Sequence, residues 1–283
     1  MTATDAGELG RPIRGPSALG SDPRRLLHLT VTLAAMEFKL RFFGSVLGYF
    51  WQLMRPLMLF GILYVVFTQF VRLGEGVDYY PAILLTGIVL YTFFSDATTG
   101  SVTAVLDREN LVRKIQFPRV VIPLSSVLTA VFNLLTNLVA VGVLVLAVGV
   151  RPMWTWLLVP LLVLALCALA TVLAMLLSAL YVRFRDVEPI WEVILQVLFY
   201  GSPILYAIEI VPSDTARQAI MCNPIASILQ QIRHWLIDPG ALSAPQAIGG
   251  WTMMMIPISI SAVICVLGVW YFNREAPRIA EEL

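Results

Sequence analysis

Arg108, Arg113, Lys114 and Arg119 fall within a dozen residues of one another, in the stretch 106–124 (LDRENLVRKIQFPRVVIPL), between two of the longest apolar runs of the chain. A cationic connector between membrane spans resists translocation and stays on the cytoplasmic side. This one is placed where a soluble partner could push on a membrane channel. Three apolar stretches carry the second group of chemically able residues. Ser95, Thr99 and Thr103 recur every four residues with Asp96 beside them; Ser125, Thr129, Asn133 and Asn137 do the same; so do Glu188, Glu192, Gln196 and Tyr200. An ionisable side chain at bilayer depth costs at least ~2.5 kcal/mol on insertion scales, so it must face a bundle interior or water. Glu192 and Asp96 therefore point to an aqueous path, whereas Ser, Thr and Asn serve interhelical hydrogen bonding equally well, and Glu188 can pair with Arg183 or Arg185 at the cytoplasmic edge. Aromatic residues gather toward the outer half. Most suit the interfacial belt, but Tyr91, Phe94, Phe199 and Tyr200 could line a conduit, because sugar rings stack on aromatic faces.

The elements that must position these residues follow from hydropathy. Of 283 residues, 59% are hydrophobic and 13% charged, with a mean hydropathy of +0.83. That composition excludes a soluble domain and fits a polytopic membrane protein. A hydrocarbon layer about 30 Å thick needs roughly 20 helical residues, and six stretches meet or approach this: 53–72, 79–105, 120–149, 155–181, 189–208 and 248–272. With both termini cytoplasmic, the inner segments carry 15 of the 19 Lys and Arg residues and the outer ones 4, the bias expected of six spans. Residues 1–23, rich in Gly, Pro and Ser, read as a disordered cytoplasmic tail, and 273–283 as a second cytoplasmic tail. Residues 24–52 read as an amphipathic helix in the interface, with Glu37 and Arg41 paired four residues apart and Gly44 and Gly48 forming a G-x-x-x-G. The outer segment 209–247 holds Ile225, Ile228, Leu229, Ile232, Trp235 and Leu236 at helical spacing, with Gln230, Gln231 and Arg233 off that stripe. It is too short to span and too apolar for open water, so a re-entrant or interfacial hairpin is expected, begun by Asn223-Pro224 and ended by Asp238-Pro239-Gly240. The expected fold is thus an all-α polytopic membrane protein: six transmembrane helices in a permease domain over 53–272, an N-terminal interface helix and an outer re-entrant hairpin.

Several chemistries are excluded. Cys167, Cys222 and Cys265 are far apart and lack a C-x-x-C, and His28 and His234 are isolated, so neither a disulfide framework nor a metal site is indicated. Lys39 and Lys114 are the only lysines and neither sits in a Walker A motif. No G-x-S-x-G or H-E-x-x-H occurs. A net charge of +1 gives no reason to expect nucleic acid.

Three stretches resemble the type-2 ABC exporter permeases of the O-antigen, teichoic-acid and related polysaccharide class. They are FKLRFFGSVLGYFWQLMRP at 38–56, ENLVRKIQFPRVVIPL at 109–124, and YVRFRDVEPIW (181–191) through LFYGSPILY (198–206) to NPI (223–225) and Arg233. The resemblance covers most of 25–272. It implies a homodimer enclosing a channel in the bacterial inner membrane, with a separate ATPase subunit below each copy that binds the ATP and Mg; this chain itself needs no cofactor. It implies that 107–119 docks on that ATPase, helped by the interface helix and 182–188, which makes Arg108, Asn110, Arg113, Lys114, Phe117, Pro118, Arg185 and Asp186 the coupling residues. It also implies that the outer hairpin closes the channel, that the first and fifth spans frame a side opening for lipid, and that the cargo is a polyprenyl-pyrophosphate-linked polysaccharide. The path would be lined by Tyr91, Phe94, Asp96, Asn133, Glu192, Gln196, Phe199 and Tyr200, with Lys39, Arg41, Arg55 and Arg113 the candidate partners of the pyrophosphate. Asp96 matches no position of the family pattern. The competing expectations are the same fold moving a small lipid or drug, an ion-coupled secondary transporter using Glu192 or Asp96, which should show inverted repeats with broken helices, and a glycan-modifying membrane enzyme.

Overall fold

The computed structural model describes residues 23–42, 46–72, 76–108 and 118–276, with side chains described except at 41, 42 and 46–49. The tails at 1–22 and 277–283, the coupling candidates Asn110, Arg113, Lys114 and Phe117, the guanidinium of Arg41, and the G-x-x-x-G of Gly44 and Gly48 lie outside this description.

The described regular structure is helical. A proline in the first turn, where its missing N–H is not needed, starts α1 (Pro23–Phe42). α2 (Val46–Val65) carries Pro56 and ends in a π turn over Val66–Phe70. Next come α3 (Tyr80–Val102), the single turn α4 (Ala104–Asp107) and α5 (Val121–Ala147). A 3₁₀ turn at Trp154–Leu158 leads into α6 (Val159–Arg183), which is followed by α7 (Val187–Tyr200). Three short helices, α8 (Asp214–Met221), α9 (Pro224–Leu236) and α10 (Ala244–Ile248), precede α11 (Trp251–Glu275).

Among the described residues, five helical segments are long and apolar enough to cross a membrane: Phe50–Phe70, Tyr80–Val102, Val121–Ala147, Trp154–Arg183 and Trp251–Glu275. The protein is a multi-pass membrane protein. The stretch expected at 189–208 differs, because its helix, α7, has 14 residues. At 1.5 Å per residue that is about 21 Å, less than the hydrocarbon thickness. The helix stops where Gly201 and Pro203 follow, since the residue before a proline is pushed out of the helical region.

Beyond it, 201–207 runs without helix yet keeps Ser202, Ile204, Leu205 and Ala207 buried. Its polar groups find partners inside the protein. The Tyr80 hydroxyl donates to the Leu205 carbonyl at 2.8 Å, and the Asn223 amide donates to Ser202 Oγ at 3.1 Å. Gly87 on α3 makes this possible: a Cβ there would meet Ile204 Cγ2 at 3.1 Å and its Cα at 3.4 Å.

α3 is the spine of the bundle. Leu84, Ile88, Leu90 and Phe94 bury fully and join one core with Val127, Ala130 and Leu134 of α5 and Leu166, Ala170 and Ala174 of α6. α11 closes on α6 at Gly268, where a Cβ would fall 2.3 Å from Val172 Cγ1. At one end of the bundle, Leu26, Leu29 and Leu33 of α1 pack on Ala104, Val105, Val121 and Ile122. Leu27, Val31, Met36 and Leu40 of the same helix stay exposed.

The segment 209–247, expected on the outer face, forms a cap of short helices. α9 begins after Asn223, whose side chain accepts from Ile225 N at 3.0 Å, and ends at Leu236 before Asp238-Pro239-Gly240, as the turn residues require. Ile225, Leu229 and Ile232 reach the main core as their spacing predicts. Gln230 and Arg233, placed off the apolar stripe by the sequence, are buried as well, at 1% and 6% exposure. The reason is a second layer. Residues 209–210 and 238–248 fold over the other face of α9 and supply polar partners, which a one-stripe reading does not anticipate.

Candidate conduit

Two adjoining cavities meet on the polar face of α3. Arg55 and Pro56 of α2 and Thr92, Asp96 and Thr99 of α3 line both of them. Thr92, Asp96 and Thr99 share a helix face because they lie four and three residues apart.

The larger cavity, about 880 Å³, lies between α2, α3 and α7. α7 presents Glu192, Gln196 and Tyr200 to it on successive turns, and all three are exposed. The adjoining face of α7 is anchored on α3. Trp191 Nε1 donates to Thr98 Oγ1 at 3.0 Å, and the Tyr91 hydroxyl donates to the Leu195 carbonyl. The Phe199 ring meets Tyr91 edge-on at 5.2 Å and Tyr200 at 5.3 Å. Tyr91, Asp96, Glu192, Gln196, Phe199 and Tyr200, proposed from sequence for a path, thus share one cavity with Arg55. Leu59, Ile62 and Leu63 of α2 form its apolar wall.

The other two path candidates fall elsewhere. Phe94 is fully buried between Tyr91 and Trp191, with ring separations of 6.3 and 6.5 Å, and lines neither cavity. Asn133 belongs to the second cavity, about 660 Å³, walled by α1 through α5. There the polar row of α5 (Ser126, Thr129, Asn133 and Asn137) faces Gln52 and Arg55 of α2 and Thr103, between α3 and α4.

This chamber is mixed in charge. Glu37 of α1 forms an ion pair with Arg108, accepts from Ser125 Oγ at 3.3 Å and from Thr129 Oγ1 at 3.4 Å, and so ties α1 to α5. The Arg41 side chain, which the spacing pairs with Glu37, lies outside the described residues; Arg108, 71 residues away, is brought to Glu37 by the packing of α1 on α5. Thr103 Oγ1 donates to Asp107 Oδ2 at 2.8 Å. Asn133 Nδ2 and Oδ1 and Asn137 Oδ1 are buried without a partner among the described residues.

The coupling candidates that are described divide. Arg185 and Asp186 are exposed between α6 and α7, with the Arg185 guanidinium 5.6 Å from the Tyr181 ring. Glu188 accepts from the Tyr181 hydroxyl at 2.9 Å. Arg108 turns inward to Glu37, and Pro118 is buried just before α5. Lys39 is exposed on α1 and lines neither cavity.

The cap of α8 to α10 holds polar residues of another kind. Arg233 pairs with Glu209 at 2.8 Å, and Glu209 also accepts from Leu242 N at 3.0 Å. Gln230 Nε2 donates to the Leu242 carbonyl at 2.6 Å. Burial pushes the Glu209 carboxyl up, but the Arg233 charge and the hydrogen bonds outweigh it and hold it below the ordinary value. Sequence reasoning missed Glu209 and Gln230; a charged residue 24 positions from its partner carries no periodic signal. Among the described residues, no three His, Cys, Asp or Glu side chains group as metal ligands would.

The model of the ABC-2 type transporter family matches residues 28–237. The chain is 30% identical over 226 residues to the O-antigen export system permease protein RfbA of Myxococcus xanthus, covering 78% of this chain and 86% of that protein. It is 27% identical over 259 residues to a protein of the same name from Klebsiella pneumoniae, covering 91% and 96%.

Proposed function

Because this chain belongs to the ABC-2 type transporter family, we propose that it is the permease subunit of an ATP-driven exporter of lipid-linked polysaccharide. The observation that carries this reading is the 880 Å³ cavity, where Glu192, Gln196 and Tyr200 of α7 face the polar side of α3 beside the rings of Tyr91 and Phe199. Carboxylate, amide and hydroxyl groups match sugar hydroxyls, and aromatic faces match the apolar faces of sugar rings. The relatives' names point to the same cargo class.

In this reading the chain crosses the inner membrane six times, with both termini cytoplasmic. The fifth crossing is α7 completed by the irregular segment 201–207. Non-helical backbone at membrane depth is tolerated where protein buries it, and Ser202, Ile204 and Leu205 are buried. α1 lies in the inner interface, its exposed Leu27, Val31, Met36 and Leu40 toward lipid. The cap of α8 to α10 closes the outer end. A second copy of the chain completes the conduit. The energy comes from a partner ATPase that binds ATP and Mg, docking on 107–119 and on the exposed Arg185 and Asp186. Lys39, Arg41 and Arg55 remain candidates for contact with the carrier's pyrophosphate.

Co-purification from the native membrane tests the reading: an ATPase subunit should be recovered with this chain, and repeated recovery of the chain by itself would contradict it. Replacing both Arg113 and Lys114 by Glu should leave membrane insertion and complex purification intact, while lowering ATP-dependent export at least tenfold. Unchanged export would remove 107–119 from the coupling path.

A further inference from the structure

Where the cap of short helices meets the spine of the bundle lies a small closed cavity, apart from the two polar ones. Thr86 and Gly87 of α3, Pro203 of the irregular segment, and Leu229 and Arg233 of α9 are among its walls. It leaves about 10 Å³ for the centre of a water-sized sphere, which is room for one molecule and not two. Thr86 and Arg233 are its polar side chains; the rest of the lining is aliphatic or glycine.

Both polar residues are more than nine-tenths buried, at 4% and 6% exposure. Each keeps one buried polar atom without a partner among the described residues: Thr86 Oγ1 and Arg233 Nε. Neither is the ordinary outcome for its residue type. A helical threonine readily donates to the carbonyl four residues back, as Thr98 and Thr129 do at 2.9 Å and Thr171 at 2.7 Å. Thr86 makes no such bond to Ala82. Arg233 gives Nη1 to Glu209 at 2.8 Å and still has Nε to satisfy.

We infer that this cavity is a binding site for a single water molecule, which accepts a hydrogen bond from Arg233 Nε and shares another with the Thr86 hydroxyl, joining α9 of the cap to α3. The inference concerns how the cap is seated on the spine. It holds whatever cargo the protein moves.

Three observations select this occupant. The first is polarity: a wholly apolar cavity stays dry, but a buried water is held where two or more polar groups converge, and here two otherwise unmade groups line one space. Leaving either group unmade would cost stability, which native proteins seldom tolerate. The second is charge. Arg233 is already met by Glu209, so the site calls for a neutral occupant and not for an anion. The third is size, since the space admits one small molecule and no side chain of a partner.

The test uses the full-length protein in lipid nanodiscs. A cryo-electron microscopy map that resolves waters elsewhere in the core should show one peak about 2.7–3.2 Å from both Arg233 Nε and Thr86 Oγ1. No peak there would overturn the inference. Thr86→Val keeps the shape of the side chain and deletes the hydroxyl, so the sign of its effect is informative. An unpartnered hydroxyl would be better lost, and the thermal midpoint would rise. A bridged one is missed, and the midpoint should fall by at least about 2 °C; a rise or a smaller fall would overturn the bridge. Arg233→Lys keeps a cation for Glu209 but has no donor at the Nε position. In that background Thr86→Val should cost less than half as much, because the two groups are coupled through the water. Equal cost in both backgrounds would show that the hydroxyl is satisfied without Arg233 and would contradict the inference. Should Thr86→Val fail to assemble, the map of the unaltered protein decides alone.

Discussion

α2 and α3 run side by side, and both are long and apolar enough to cross the membrane, yet 78% of the most apolar stretch of α3 is buried against 6% of that of α2. Hydropathy selects residues that avoid water. It does not distinguish a helix surrounded by protein from one surrounded by lipid or by a second copy, since lipid tails are as apolar as leucine. What separates the two helices is what packs on them. α3 is enclosed by α5, α6, α7 and the cap of short helices, while α2 rests on α3 along one side. The enclosed helix sets the frame, and the loosely held one borders both polar cavities.

The sharpest way to break this contrast is to damage the frame. Phe94→Ala removes a fully buried ring from the core of α3, and a loss of about 3–5 kcal/mol is expected, read as a large drop in thermal unfolding temperature in detergent. A small drop would mean that α3 is not the spine. The cap that packs on the Ile83–Leu90 end of α3 comes next. Arg233→Ala strands a Glu209 carboxylate that is partly shielded from water, with an expected cost of roughly 2–4 kcal/mol, reduced from the fully buried case because Glu209 retains some exposure.

The same pair sets a pH dependence. Glu209 sits below its ordinary value in the folded protein, so its contribution is fully present above the ordinary carboxylate range and is lost as pH falls through the lower folded value. Thermal stability should therefore be flat with respect to this pair from pH 8 to 5 and decline below about 4, and Arg233→Ala should blunt that decline. An unblunted acid limb would assign the loss to other carboxylates. At the small end, Ile62→Ala on α2, at a 60% exposed position, should change stability by about 0.5 kcal/mol or less. A loss comparable with Phe94→Ala would show that α2 is gripped as firmly as α3.

Much of this arrangement was legible in the sequence. Five of the spans, the start and end of α9, and the ladder of Glu192, Gln196 and Tyr200 follow from periodicity, because a period of 3.6 residues fixes which side chains share a face. Length was harder to read. The apolar run 189–208 continues past Tyr200, but Pro203 ends the helix, and hydropathy sums do not register a backbone that has turned. Long-range partners were not legible at all. Glu37 with Arg108 and Glu209 with Arg233 depend on which helices pack. Phe94 illustrates the same limit. Its place beside Tyr91 and Asp96 in the chain suggested the path, but two residues from Thr92 it points to another side of α3, into the core.

The most direct test of the path itself is thiol blocking on α7. In a background with Cys167, Cys222 and Cys265 replaced by Ser, cysteine is introduced at Gln196, on the cavity face, and at Val193, exposed but outside the cavity lining. Both are reacted to completion with a bulky thiol reagent. The account predicts that modification at Gln196→Cys lowers ATP-dependent glycan export at least tenfold, while modification at Val193→Cys leaves it within twofold. Full export through a completely modified Gln196→Cys protein would contradict it.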